Sequence, residues 1–331
     1  KISRIVGGVG MKKILLLVSI AIMLVLSCGN EGKKSSETGG EKSKDTFKVG
    51  ITQIVAHPAL DSAREGFKDA FKESGLKVTF DEKNAKGEIA TANMIANNFV
   101  TEKVDLIYAI ATSTAQSAAQ ATNKLPVVFS AITDPEAAGL IKENVTGISD
   151  RVNVKQQLEL LLKLDSKIKK VGVIYNSSEQ NSKVQVDDLK KAASELGITI
   201  VEKSVTQVSE IPQASEALVK SSDALYLPTD NLVASVVNLI TEKATAAKKV
   251  AFGAEAAHVK GGALITQGID YYEMGKEAGK IAVEILKNGK KPSEIKFKKM
   301  DLNDIVINNK TLAAIGISLP EDIKSKAKTI D

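Results

Sequence analysis

From residue 47 onward, short apolar runs of strand length alternate with longer segments whose apolar residues recur every three or four positions. That alternation reads as successive βαβ units on a parallel sheet. The first half predicts strands over 47–54, 76–81, 106–110 and 126–129, with helices over 60–74, 89–101 and 113–122 between them. Leu60, Ala63, Phe67, Ala70 and Phe71 share one face of the first helix. That helix follows Pro58 and stops at Gly75, as expected of a Pro near a helix start and a Gly just past its end. Residues 145–150 read as a crossing segment, after which the pattern restarts. Strands are then predicted over 170–175, 198–201, 224–227, 250–253 and 263–267. Helices are predicted over 154–164, 184–196, 211–219, 231–248 and 271–286, and the tail from Pro292 mixes short strands with a final helix.

The two halves repeat one another. Val49-Gly50-Ile51 corresponds to Val171-Gly172-Val173, Asp105-Leu106-Ile107-Tyr108 to Asp223-Ala224-Leu225-Tyr226, and Val127-Val128-Phe129 to Val250-Ala251-Phe252. The expected fold class is therefore α/β, with two similar doubly wound parallel-sheet lobes joined by a hinge. The N-terminal lobe is expected over 47–148 plus about 269–291, and the C-terminal lobe over 149–268 plus about 292–331. In open α/β sheets, ligands sit beyond the carboxyl ends of the strands. Pro228-Thr229-Asp230-Asn231 and Ala111-Thr112-Ser113-Thr114 occupy those ends in the two halves.

Residues 1–28 change the reading of the charge. The chain has 331 residues and a formal net charge of +5. Lys1, Arg4, Lys12 and Lys13 all precede Cys28 with no acid among them, so the remainder carries 41 basic and 40 acidic side chains. No Lys/Arg stripe with interleaved aromatics remains, and nucleic-acid binding is not expected. Met11-Lys12-Lys13 and the apolar run behind them have the form of a signal peptide, too short for a membrane span of about 20 residues. The run ends Val25-Leu26-Ser27-Cys28, which resembles the lipobox of bacterial lipoproteins and implies lipidation of Cys28. Residues 1–10 precede the natural-looking start at Met11 and are expected to be an upstream extension outside the fold. Residues 29–46 contain no apolar side chain to bury and read as a flexible tether spanning about 25 Å. Cys28 is the only cysteine, so no disulfide or Cys pair for metal or redox chemistry is available.

A set of local motifs carries a family resemblance. They are His57-Pro58-Ala59-Leu60-Asp61 with Arg64-Glu65-Gly66-Phe67, Ala111-Thr112 with Ala115-Gln116, and Ala131 with Thr133-Asp134-Pro135. Asn144-Val145-Thr146-Gly147, Val173-Ile174-Tyr175-Asn176, Pro228-Thr229-Asp230-Asn231 and Gly268-Ile269-Asp270-Tyr271-Tyr272 complete the set. Together, over residue 47 to about 292, the chain resembles the substrate-binding lipoproteins of ABC transporters of the tryptophan/tyrosine type. That resemblance implies the type I periplasmic-binding-protein fold with ligand between the lobes. One departure lies after Glu255, where a Gly/Ser-containing turn is expected and the chain has Ala256-Ala257 with His258 nearby.

The residues themselves suit a zwitterion. Helix starts attract anions, and Thr112-Ser113-Thr114 and Asn176-Ser177 offer two such starts. Asp134, Asp230, Glu255 and Asp270 gather at strand ends, where one or two facing the cleft would hold an ammonium group. His57, Thr229 and Asn231 border the same ends, Tyr175 and Tyr226 could stack a ring, and the resemblance adds Ala131 and Thr133. Each has a plainer alternative: the hydroxyls and Asp230 as helix caps, Asp134 as a turn residue, Asp270 as a hinge support, the tyrosines as core. Two separated histidines, His57 and His258, do not make a metal site. No P-loop and no nucleophile elbow is present, so neither enzyme nor cofactor is expected.

The expected function is an extracytoplasmic, lipid-anchored solute-binding protein of an ABC importer. It would act as a monomer that takes an aromatic or apolar amino acid in the cleft and delivers it to a membrane permease. A sugar or nucleoside ligand is the alternative within the fold. A surface sensor or adhesin, or an enzyme on a similar scaffold, are the alternatives outside it.

Overall fold

The computed structural model describes residues 46–301 and 305–331. The leader, Cys28 and the tether lie outside the described residues. Among the described residues no helix is long and apolar enough to cross a membrane.

The chain runs β1 (Phe47–Gln53), α1 (Pro58–Ser74), β2 (Val78–Asn84), α2 (Ile89–Thr101), β3 (Leu106–Ile110), α3 (Thr112–Ala121), β4 (Val127–Ile132) and β5 (Val145–Ser149). It continues α4 (Val154–Leu164), β6 (Lys170–Asn176), α5 (Gln180–Glu195), β7 (Thr199–Val205), α6 (Ile211–Ser221) and β8 (Ala224–Leu227). Then come α7 (Asn231–Ser235), α8 (Val237–Ala246), β9 (Ala251–Gly253), α9 (Ala256–Lys260), β10 (Ile265–Gln267) and α10 (Tyr271–Asn288). The tail adds β11 (Lys298–Lys299), β12 (Ile305–Asn308), α11 (Asn309–Ile315), α12 (Glu321–Lys324) and β13 (Lys328–Ile330).

Two sheets form. The first has strand order β11-β5-β4-β3-β1-β2, the second β13-β12-β10-β9-β8-β6-β7. All pairs are parallel except β10 with β12. The inner orders β2-β1-β3-β4-β5 and β7-β6-β8-β9-β10 are the same path traced twice, which is the structural form of the sequence doubling. The match reaches the register: Tyr108 lies beside Ile51 and Tyr226 beside Val173. In both orders the path reverses beside the first strand of the half, and ligands bind outside the strand ends at such a switch point.

Three details differ from the sequence reading. Residues 145–149 are a full strand of the first sheet, and the crossing comes after Ser149. The helix expected over 231–248 breaks at Val236, whose φ of −138° and ψ of 30° are not helical. Lys298–Lys299 pair with Ile148 and Ser149 of the first sheet, so the return to the second sheet comes after Lys299 rather than at about 292. Three connections therefore join the sheets: after β5, after β10 and after β11.

Helix α10 leaves the second sheet and packs along α1 on the first. The pair meets at backbone distance because it is built on glycines. A Cβ on Gly66 would lie 2.0 Å from the Tyr272 carbonyl oxygen, and one on Gly275 would lie 1.8 Å from that of Ala63. The first core also stacks Phe67 on Tyr108 at 3.8 Å between ring centres, and the second stacks Tyr226 on Phe252 at 6.0 Å.

Candidate functional site

The carboxyl ends of both sheets converge on one small cavity. From the first half it is lined by His57 after β1, Leu60 on α1, Ala131 at the end of β4, Asp150 after β5, and Tyr271 at the start of α10. From the second half come Asn181 on α5, Thr229, Asp230 and Asn231 after β8, Ala234 on α7, and Glu255 after β9. The space is about 10 Å³, room for about one water molecule. The lobes thus close the polar groups onto one another.

The walls are acidic. Tyr271 donates its hydroxyl to Asp150 Oδ2 at 2.7 Å, and Thr133 donates to Asp150 Oδ1 at 3.2 Å. Glu255 Oε1 lies 3.3 Å from His258 Nε2 but has no aligned hydrogen bond, so the pair is a contact rather than an ion pair. Asp230 Oδ2 accepts the Asn176 N–H at 2.5 Å and the Ser182 hydroxyl at 2.7 Å, while Oδ1 caps α7 at Val233 N–H, 2.8 Å. Glu179 gathers donors: its two oxygens accept from the backbone and side-chain N–H of Asn231, the Leu232 backbone, and the side chains of Asn176 and Asn181. His57 Nε2 and Asn231 Oδ1 meet across the halves at 3.3 Å.

Charge follows from burial. Asp150, Asp230 and Glu255 are 0–3 % exposed, and among the described residues the lining holds no lysine or arginine. Burial first, and then the neighbouring Asp150 carboxyl, raises Glu255 to about 8. Burial likewise raises Asp150. Asp230 is raised by burial and by the adjacent Glu179. Burial lowers His57 to about 4 and His258 to about 3, so both imidazoles are neutral near pH 7. His57 Nδ1, Asn181 Oδ1 and Glu255 Oε1 are buried without a hydrogen-bond partner. The cluster is thus several acids short of a cation.

A second cavity, of about 130 Å³, adjoins the first through Asn231. It is lined by Ile54, Val55 and Ile89 on one side and Val208 and Leu232 on the other, with Ser113, Asn176 and Glu179 among its polar groups. Ser113 lies in the first turn of α3, whose N-cap Ala111 supplies no side-chain cap. The first N–H groups of any helix lack intrahelical partners. Ala111 itself has φ 86° and ψ 157°, and Ala131 at the end of the next strand has φ 59°. Such backbone in a non-glycine residue costs about 1–3 kcal/mol and clusters at ligand sites.

Of the residues expected from sequence, His57, Ala131, Thr229, Asp230, Asn231 and Glu255 line the acidic cavity, and Ser113 and Asn176 line the apolar one. Thr112 is buried in the first turn of α3 with its hydroxyl unpaired. Thr133 does not line the cavity and hydrogen-bonds Asp150, which does. The rest are placed elsewhere. Thr114 bonds back to the Ile110 and Ala111 carbonyls within its own helix start. Asp134 caps the turn at Glu136 and Ala137 and pairs with Arg151 at 2.6 Å. Tyr175 points toward Glu202 on the neighbouring edge strand, and Tyr226 is core, its hydroxyl bonded to Gln157 and Gln185. Ser177 contributes its backbone N–H to the Val205 carbonyl. Asp270 caps α10 at Tyr272 and Glu273. Leu60, Asp150, Glu179, Asn181, Ala234 and Tyr271 were not expected. An acid ending the 145–150 segment was the one available signal for Asp150.

Residues 48–330 match the family described as ABC transporter substrate binding protein. The chain is 40 % identical over 319 residues to a tyrosine-binding protein of Clostridioides difficile (strain R20291), covering 92 % of each. Among solved structures it is similar to an ABC domain from Streptococcus pneumonia in complex with L-Trp, with 34 % identity and TM-score 0.82 over 86 % of this chain and all of that one. It is also similar to the ligand-free, open structure of a Clostridium difficile substrate binding protein with adhesive properties, at 42 % identity and TM-score 0.66, covering 86 % and 99 % of the two chains. A myo-inositol-bound solute binding protein from Bacillus halodurans, at 14 % identity and TM-score 0.64, shares the type I periplasmic-binding fold. The chain belongs to the ABC transporter substrate-binding proteins: it binds solute rather than turning it over, works outside the cytoplasm, and serves an ABC permease.

Proposed function

We propose that the cleft captures an amino acid with an apolar or aromatic side chain, and that Cys28, when lipidated, holds the protein at the membrane as a monomer beside its permease. One observation carries the reading of the ligand: a buried interlobe cavity walled by Asp150, Asp230 and Glu255 and lined by no lysine or arginine. Buried acids without a counter-charge are costly, and an ammonium group supplies one. The uncapped start of α3 beside the second cavity suits the ligand's carboxylate. Ile54, Val55, Ile89, Val208 and Leu232 suit its side chain. The relatives agree in kind, one named for tyrosine and one solved with L-Trp. The chain also overlays better on the L-Trp complex than on the open relative to which its sequence is nearer, as a closed arrangement of the lobes requires.

A sugar or nucleoside would bring no ammonium. Calorimetry with tyrosine, tryptophan and phenylalanine separates the readings when repeated at pH 7 in buffers of different ionisation enthalpy. An ammonium entering beside Glu255, whose carboxyl burial raises to about 8, releases a proton at pH 7, so the observed heat depends on the buffer. Binding of a sugar or nucleoside in preference to amino acids, or binding heat independent of buffer, rules the proposal out.

A further inference from the structure

The end of the first lobe farthest from the cleft has a chemistry that solute binding does not use. Helix α10 begins at the cavity with Tyr271 and runs 18 residues, or about 27 Å. Its last turn and the loop behind it carry Lys287, Lys290, Lys291 and Lys296 against the single acid Glu294. All four lysines are exposed, and none forms an ion pair among the described residues. Residues after Cys28 as a whole are close to charge-balanced, so this end is locally basic on a molecule that is not.

The same end is apolar. Leu140, Ile141, Val145, Pro292, Ile295 and Phe297 line a groove of about 550 Å³, with Lys296 at its wall. Glu136, Glu143 and Lys142 also border it, and the Lys142 ammonium is occupied by the Ala119 carbonyl. Ile141 is 61 % exposed, more than any other large hydrophobic residue described. The loop is held to the sheet edge by the Thr146 hydroxyl on the Ile295 carbonyl at 2.6 Å. Phe47, where β1 begins, lies at this end too, because β1 runs parallel to β4 and β5 toward the cleft. Three strand spacings separate β1 from β5, or roughly 14 Å.

We propose that this face docks on an anionic phospholipid surface, with the four lysines on headgroup phosphates and Ile141 with the groove rim at the headgroup–acyl boundary. Lysine gives each contact as a flexible point charge, and the apolar rim gives what a soluble polyanion would not use. The docking is separate from any lipid on Cys28 and requires none.

The test uses residues 29–331, because solved relatives are accounted for at 99–100 % of their own length by 86 % of this chain. Co-sedimentation is measured with vesicles of phosphatidylglycerol and phosphatidylcholine, and with phosphatidylcholine alone. The protein is expected to bind the first at low salt, to ignore the second, and to release as the Debye length shrinks toward about 8 Å at 0.15 M salt. Each lysine near the surface contributes about fivefold, so K287Q/K290Q/K291Q/K296Q should lose binding on the order of several hundredfold. Ile141→Ser should weaken vesicle binding and leave polyphosphate binding alone. Melting temperature serves as the control for folding in both variants. Equal binding to neutral vesicles, no binding to anionic ones at low salt, or an unchanged quadruple variant overturns the proposal. So does an Ile141→Ser protein with full vesicle binding that polyphosphate competes away, which would mark a polyanion site.

Discussion

Replacing Glu255 with Gln asks whether the acids of the cleft are as uncompensated as their burial implies. The side chain is 2 % exposed, and burial beside Asp150 raises its carboxyl to about 8, against 4.5 for the free group. A carboxyl raised in the folded state contributes stability that is complete below its unfolded value and is lost as pH climbs through its folded one. His57 and His258 move oppositely: held neutral by burial, they cost stability only as pH falls below about 6.5. Between pH 6.5 and 8 the histidines are silent and Glu255 is not. Over those 1.5 units, at about 1.4 kcal/mol per unit, the wild type should lose about 2 kcal/mol through this residue. Gln keeps the shape and cannot titrate. Urea denaturation of ligand-free protein at pH 6.5 and 8 measures the quantity. The wild type should lose about 2 kcal/mol more than Glu255→Gln across the window. Equal slopes for the two proteins would show that Glu255 is ionised in the closed lobes, and the uncompensated acid cluster would be wrong.

Other residues give independent checks. Gly275→Leu places a Cβ 1.8 Å from the Ala63 carbonyl oxygen, so α1 and α10 must separate; a loss of 3 kcal/mol or more is expected in denaturation, and a loss under about 1 kcal/mol would show that the helices move apart freely. Arg151 lies on the first crossing and bonds both Asp134 and Asp188 at 2.6 and 2.9 Å. Arg151→Met should cost about 1 kcal/mol, since all three side chains are partly exposed, and should enlarge the ligand-free radius of gyration in X-ray scattering by favouring open lobes; an unchanged scattering curve removes Arg151 as a latch. Asp230→Ala leaves the donors of Asn176, Ser182 and Val233 without an acceptor, so a stability loss of about 2–4 kcal/mol accompanies weaker binding. Asp230→Asn keeps one oxygen for the α7 cap and should lose affinity with the smaller stability change, and equal losses in both variants would mean a purely structural aspartate.

The alternation of strand and helix was legible because buried parallel strands read as apolar runs and their covering helices as a period of three to four. The matched Asp-x-x-Tyr strands at 105–108 and 223–226 carried the doubling, and the repeated strand path gives that doubling its physical form. Strand-end residues were legible for the same reason, since a parallel sheet delivers all its carboxyl ends to one side. The tyrosines left two readings open, ring stacking or core. Tyr226 and Tyr108 are buried within the cores, where a hydroxyl finds a partner in Gln157 or Ser130, and pattern alone does not distinguish that from a ring facing a ligand.

Asp150 and Tyr271 eluded the sequence for a further reason. Each is brought in by a connection rather than by its own strand pattern. Asp150 follows β5 at the first crossing, and Tyr271 follows β10 at the second, 121 residues away, yet their side chains meet at 2.7 Å. That bond joins two of the connections between the sheets, and the Gln157 side chain ties the same region to the Gln267 and Ala254 carbonyls. The hinge and the acidic wall of the cleft are therefore built from the same residues. On the proposed reading, a cation that draws on Asp150 would also act on the segments that join the lobes, so capture of an ammonium group would be coupled to closure through the Tyr271–Asp150 bond.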